Sequence, residues 1–468
     1  MRRRWLVLAS FLTAFALVAA ACGDDDATTT APPATTTTGP GTTAATTTTS
    51  PDVEAAFDVG VTPAPCSDAL NEGNGCIYLG VITDLTGPFA LFGGPLTAAQ
   101  EDFWARVNAD GGLDGWDVII TAENTVDAKY DIDGQNTAAG AATLATRVAA
   151  LAQSLGTPQT QSALQIYDEN NMVAAPATWW SGWAFSDQDR GLILESGAPY
   201  CFEAMNGMSY LVDSLCTDFT WALVRFAGDY GGDYGNGALI AAAQLGLNDP
   251  VADIQQTSFA AGGDAAIAST VTALLPLQPQ VIVMVTGPSE VARITGGLAQ
   301  NGFTDFRVIG ASPTWHPALM VQVPDLVPLW QATFNATYPW GVWSSDTAGH
   351  AAMRAAAEAK GQDPDPGYVA GWVWQYPIKA LLEQAIETND LTRANLRGIA
   401  ASLESVDYEG MLPERTYAGD PNDHAVRSTL VVGIDPEAPG GVVEVAGSFV
   451  SPTAAGYEFD GPCFVFGG

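Results

Sequence analysis

The sequence predicts an α/β protein of two Rossmann-like, doubly wound lobes, and three observations predict it. Apolar strand-like runs alternate with helical stretches over short connections. The alternation runs once to about residue 177 and starts again near residue 200. The runs are β-branched or aromatic without strict polar alternation, as in strands buried on both faces. At 468 residues the chain is also too long for one ordinary core.

The first series opens with "CIYLGVI" (76–82), which runs into "TDLTGPFALFGGP" (83–95), a loop combining glycines, prolines and two phenylalanines. Leu96, Ala99, Phe103 and Val107 then recur at helical spacing, with Pro95 suited to a first turn and Gly111 and Gly112 to a stop. The loop therefore lies at the carboxyl end of a parallel strand, where open α/β sheets bind ligands. "WDVIITAE" (116–123), a helical stretch at 132–148, "AALAQS" (149–154), a helix from about 159 and "MVAAPA" (172–177) complete the series.

The second series starts with a strand at "YCFEAM" (200–205) and continues with a helix, "WALVRF" from 221 and a helix from about 236. It goes on through "VADIQQTSF" from 251, a helix from 265, "VIVMVT" from 281, a helix from 290 and "FRVIGA" from 306. Helical stretches at 348–360 and 378–387 follow, and "STLVVGID" with "GVVEVAGSFV" reads as a terminal hairpin.

The N-terminus reads as a targeting segment. "MRRR", the apolar "WLVLASFLTAFALVAA" and small residues before "ACGDDD" form a secretory signal at 1–21. Ala19, Ala20 and Ala21 before Cys22 resemble a bacterial lipobox, which implies lipidation of Cys22 and attachment to the membrane outside the cytoplasm. From 22 to 65 the composition falls to Thr, Ala, Pro, Gly and a few Asp, too little to bury, so this stretch is expected to be a disordered tether.

Charge and cysteine use exclude several function classes. Seventeen Lys and Arg face 52 Asp and Glu, a formal charge of −35, so phosphate-backbone binding and a nucleic-acid partner are not expected. Cys66 with Cys76, and Cys201 with Cys216, are the short-range disulfide pairings, and they leave Cys463 over, so other pairings stay open. No cysteine and histidine cluster, and no spacing among His316, His350 and His424, supplies a metal site, and no cofactor is expected. A hydrolase would need a nucleophile and base, and neither G-x-S-x-G nor a histidine beside a suitable Ser is found.

One segment suggests an anion site from its own chemistry. In "SLGTPQTQSAL", Thr157 suits an N-cap and Pro158 the first helical position, so the helix start offers free N–H groups beside a hydroxyl and Gly156.

"LGVITDLTGPFALFG", "VNADGGLDGWDVIITAEN", "SLGTPQTQSALQIYDENNMVAAPAT" and "GDYGGDYGNG" together resemble the substrate-binding lipoproteins of ABC importers of the branched-chain amino acid, or Leu/Ile/Val-binding, type, from about Cys76 to the C-terminus. The resemblance implies a type I periplasmic binding protein fold with a ligand held in the cleft. The lobes are then expected at 66–197 plus about 326–427, and about 198–325 plus 428–468. It also implies a non-enzymatic monomer that delivers a small molecule to a permease; a ligand-sensing receptor domain is the alternative.

By the same resemblance, Gly156 and Thr157 would hold a carboxylate, Ala177, Thr178 and Trp179 would line the second loop, Phe92 would form a cleft wall and Tyr234 would close over the ligand. Amino-acid binders of this type place an acid on the ammonium group where this chain has Ser312, and Trp315 follows nearby. An ammonium buried without a carboxylate is costly, so a larger or more apolar acid or amide is expected instead of leucine.

Overall fold

The computed structural model describes residues 55–215 and 217–466. Cys22 and most of the expected signal and tether lie outside them. Among the described residues no helix is long and apolar enough to cross a membrane.

The first sheet contains β1 (Val61–Thr62), β2 (Gly75–Thr83), β3 (Trp116–Asp127), β4 (Ala150–Leu155) and β5 (Ala174–Ala177). β2 pairs in parallel with β3 and β4, β4 pairs with β5, and only β1 runs antiparallel, against the start of β2. β2, β4 and β5 are buried along almost their whole length, which is why they read as continuous apolar runs. Helices α1 (Ala90–Ala109), α2 (Gln135–Leu144) and α3 (Thr157–Glu169) connect the strands.

The second sheet has β6 (Trp221–Phe226), β7 (Ala252–Gln256), β8 (Val281–Val285), β9 (Arg307–Ala311), β10 (Phe334–Tyr338), β11 (Thr429–Ile434) and β12 (Val442–Phe449). Its order is β12-β11-β10-β9-β8-β6-β7, and the expected terminal hairpin forms its antiparallel edge. Its helices include α4 (Tyr200–Leu215), α5 (Tyr230–Leu245), α6 (Phe259–Leu274) and α7 (Pro288–Gln300). After β10 the chain returns to the first lobe, where α8 (Ala348–Lys360) and α9 (Pro366–Val373) contact α1.

Three local expectations are corrected. Residues 200–205 begin the helix α4 and not a strand; that short window holds one polar residue, Glu203, whereas the helical period shows only over the longer run of Glu203, Asn206, Ser209 and Asp213. α5 begins at Tyr230, six residues before the expected start, because Asp229 caps it by accepting from the Tyr230 N–H. β10 joins the second sheet between β9 and β11, although 326–427 was assigned to the first lobe.

Cys66 pairs with Cys76 as expected, and Cys201 pairs with Cys463, not with Cys216, which lies outside the described residues. The Cys201 to Cys463 bond fastens the C-terminal segment to α4. The same segment ties to the loop after β5: Cys463 N donates to Ser181 Oγ (2.8 Å) and Trp180 Nε1 to the Phe464 carbonyl (2.8 Å). Asn236 Nδ2 of α5 donates to the Cys463 carbonyl (2.6 Å), so one strap binds elements of both lobes.

Candidate ligand-binding site

The carboxyl ends of both sheets face one cavity, and the loop after β2 builds its first wall. Asp84 shapes that loop by accepting from the backbone N–H groups of Thr86 (3.2 Å), Gly87 (2.5 Å) and Phe89 (2.8 Å). The turn delivers Phe89, and one helical turn later Phe92, to the cavity. Phe89 also reaches across the cleft, with its ring centroid 6.2 Å from Phe226 and 6.1 Å from Tyr230.

The other first-lobe walls come from the ends of β3, β4 and β5. Lys129 and Tyr130 both take left-handed backbone conformations (φ 58° and 49°), an unfavourable choice for a bulky residue that sets the Tyr130 ring 4.5 Å from Phe89. Leu155 ends β4 and Ala177 ends β5, and Trp179 follows, held by its indole N–H donating to the Ser196 carbonyl (2.9 Å). Trp179 in turn lies 4.9 Å from Trp340 and 5.4 Å from Trp374.

From the second lobe come Tyr200, Tyr230, Ser312, Pro313 and Tyr338, while Pro366, Gly367 and Ala370 of α9 close the opposite side. The Tyr230 hydroxyl is already spent, donating to the Thr286 carbonyl (2.8 Å). The cavity itself is narrow, about 60 Å³, with its aromatic walls close to one another.

Of the residues named from the sequence, Phe92, Ala177, Trp179 and Ser312 line this cavity. The other named residues sit behind its walls. Thr157 and Thr178 are fully buried and hydrogen-bond to each other through their hydroxyls. Gly156 starts α3 with φ 92°, and a Cβ there would lie 2.9 Å from the Tyr130 ring, so Tyr130 packs directly over the helix start. Tyr234 turns its hydroxyl toward the Gly310 carbonyl (3.3 Å), and Trp315 packs beside Phe334 within the second lobe.

Phe89, Tyr130, Tyr200, Tyr230 and Tyr338 line the cavity without having been singled out for it, and so do Trp340 and Trp374, two of a group of tryptophans of which one or two were expected to touch the ligand. Phe89 had a signal, since it lies three residues from Phe92 in the same loop. Tyr230 had one too: Asp229 is a capping residue type, and a helix starting there turns Tyr230 toward the strand ends.

No Asp, Glu, Lys, Arg or His is among the lining residues. Carboxylates stand just behind. Burial pushes the Asp229 carboxyl up to about 6, against hydrogen bonds from Tyr130 and the Tyr230 N–H, and burial holds Glu203 well above its ordinary range. Among the described residues no group of three or more His, Cys, Asp or Glu is placed to hold a metal.

Two sheets with one apolar cavity between their carboxyl ends define a small-molecule binding protein. The periplasmic binding protein family matches residues 76–439, and the chain belongs to that family, whose members act outside the cytoplasm. No curated protein sequence matches it. Among solved structures it is similar to a fatty acid ABC transporter substrate-binding protein from Thermomonospora curvata, with 26% identity over 86% of this chain and 97% of that one and a TM-score of 0.76. A branched-chain amino acid ABC transporter protein from Thermus thermophilus with bound valine shares 16% identity over 82% and 98% of the two chains (TM-score 0.65). A solute-binding protein from R. palustris in complex with 4-hydroxybenzoate shares 14% over 80% and 97% (TM-score 0.63).

Proposed function

We propose that this protein is the lipid-anchored solute receptor of an ABC importer and that it captures an apolar acid or amide larger than leucine by closing two lobes on it. The observation that carries this reading is the cavity wall itself: aromatic side chains from the strand ends of both sheets surround one space, and Phe89 spans it. An α-ammonium group would meet no carboxylate among the lining residues, which disfavours a free amino acid. The likeness to a fatty acid binder supports an apolar ligand. The lipobox-like residues before Cys22 support the anchor.

Thermal denaturation of the purified protein with octanoic acid, octanamide, leucine and valine tests the ligand class. Octanoic acid at low pH, or octanamide, is expected to raise the midpoint, since a ligand at a hundred times its Kd adds about 2.7 kcal/mol of stability. A rise with leucine or valine alone would overturn the reading. For the anchor, Cys22→Ser is expected to release soluble protein or leave uncleaved precursor, and a correctly cleaved protein still bound to membrane would remove it.

A further inference from the structure

We propose that the cavity admits its ligand only in an uncharged form: an amide or other neutral acceptor, or a carboxylic acid carrying its proton. This rests on the apolar-ligand reading above and adds the charge state, which that reading leaves open.

The walls supply no counter-charge. No cationic side chain lines the cavity, and the hydroxyls and indoles that do are neutral. Three of these neutral groups, Ser312 Oγ and the indole N–H groups of Trp340 and Trp374, are buried without a hydrogen-bond partner. They suit a carbonyl or hydroxyl, and they cannot neutralise an anion.

The charges behind the walls are acidic. Asp229 stands behind Tyr130, Tyr200 and Tyr230, Glu203 behind Tyr200, Tyr230 and Tyr338, Glu290 behind Tyr230 and Asp365 behind Tyr338. These carboxylates add to burial in pushing the tyrosine hydroxyls up. Asp84, behind the Phe89 loop, is a further acid. Of the nearby bases, Lys129 precedes Tyr130 in the wall without lining the cavity, and His316, whose ring lies 4.8 Å from Phe92, stands 3.0 Å from Asp365. An anion entering this space would lose its water and meet no counter-charge among the lining residues, whereas a neutral molecule loses little.

The positive end of α3 does not offset this. Tyr130 packs over Gly156 at its start, and the Thr157 hydroxyl is engaged by Thr178. The N-terminus that would welcome a carboxylate lies behind the wall.

Calorimetric titration of the protein with octanoic acid and octanamide, at pH 6 and pH 8, tests the proposal. Octanamide has no titrating group, so its Kd is expected to agree at the two pH values and reports any change in the protein itself. The apparent Kd of octanoic acid is expected to weaken about tenfold per pH unit above the acid's own pKa, hence about a hundredfold between the two conditions. Octanoate bound equally well at pH 6 and pH 8 would overturn the uncharged-ligand proposal while leaving the apolar-ligand reading intact. Failure of both probes to bind at either pH would remove both.

Discussion

His316 Nε2 stands 3.0 Å from Asp365 Oδ2, joining the loop after β9 to the N-cap of α9. The Ala318 N–H donates to His316 Nδ1 (3.1 Å), which fixes the ring beside the carboxylate. The first residue follows a second-sheet strand and the second belongs to a helix on α1, so the pair forms only when the lobes meet. His316→Phe keeps a ring against Phe92, and Asp365→Asn keeps an acceptor for the Gly367 N–H. Each is expected to weaken octanamide about fivefold, roughly 1 kcal/mol, and the double variant to add little more. Calorimetry on the full cycle checks this; strictly additive losses would show that the pair is uncoupled.

Phe89 offers a second test of closure. Its ring is buried by Tyr130 from its own lobe and by Phe226 and Tyr230 from the other. Phe89→Ala is expected to raise the Kd for octanamide at least tenfold (about 1.4 kcal/mol) while the urea midpoint of the ligand-free protein shifts far less. Equal losses in both would mean that Phe89 is ordinary core.

The Cys201 to Cys463 crosslink closes a loop of 262 residues in sequence separation. Replacing both cysteines by alanine is expected to cost about 2 to 4 kcal/mol in chemical denaturation. Cys66 and Cys76, ten residues apart, should matter less. Peptide mapping of the oxidised protein should recover the long-range pair, and recovery of Cys201 with Cys216 instead would contradict the structure.

Stability should fall as pH rises. Burial pushes the Asp233 carboxyl up to about 7, although it accepts from Ser181 and the Cys201 N–H. A carboxyl raised on folding binds its proton more tightly in the native state, so its contribution is complete below about pH 4 and is lost as pH rises through about 7. Burial pushes Asp189 up to about 6, in the same direction. Urea midpoints between pH 4.5 and 8 should therefore decline, with a shallower slope in Asp233→Asn. A midpoint that rises across this window would refute the assignment.

Most of the sheet framework was legible because β-branched runs such as "VIVMV" have few alternatives when bounded by turns. The misread element was α4: six residues with a single polar one, Glu203, fit a strand as well as a helix, and the polar positions that mark the period lie beyond that window. The site was half legible for a related reason. Phe92, Ala177, Trp179 and Ser312 follow directly from strand ends and the family resemblance. Tyr234 was named from the family resemblance, and the aromatic that lines the cavity is Tyr230, about one helical turn earlier on the same helix. Trp340 and Trp374 reach the cavity only through the chain's return between lobes, a crossing that no local pattern records.

The position of Cys463 carries a consequence for biogenesis. A chain emerging N-terminus first presents Cys201 and Cys216 to the oxidant long before Cys463 follows, so the nearest available thiol is the wrong one. Correct pairing depends on secretion outrunning oxidation or on later reshuffling by an isomerase, and the yield of correctly paired protein in a heterologous host should follow that host's capacity to exchange disulfides.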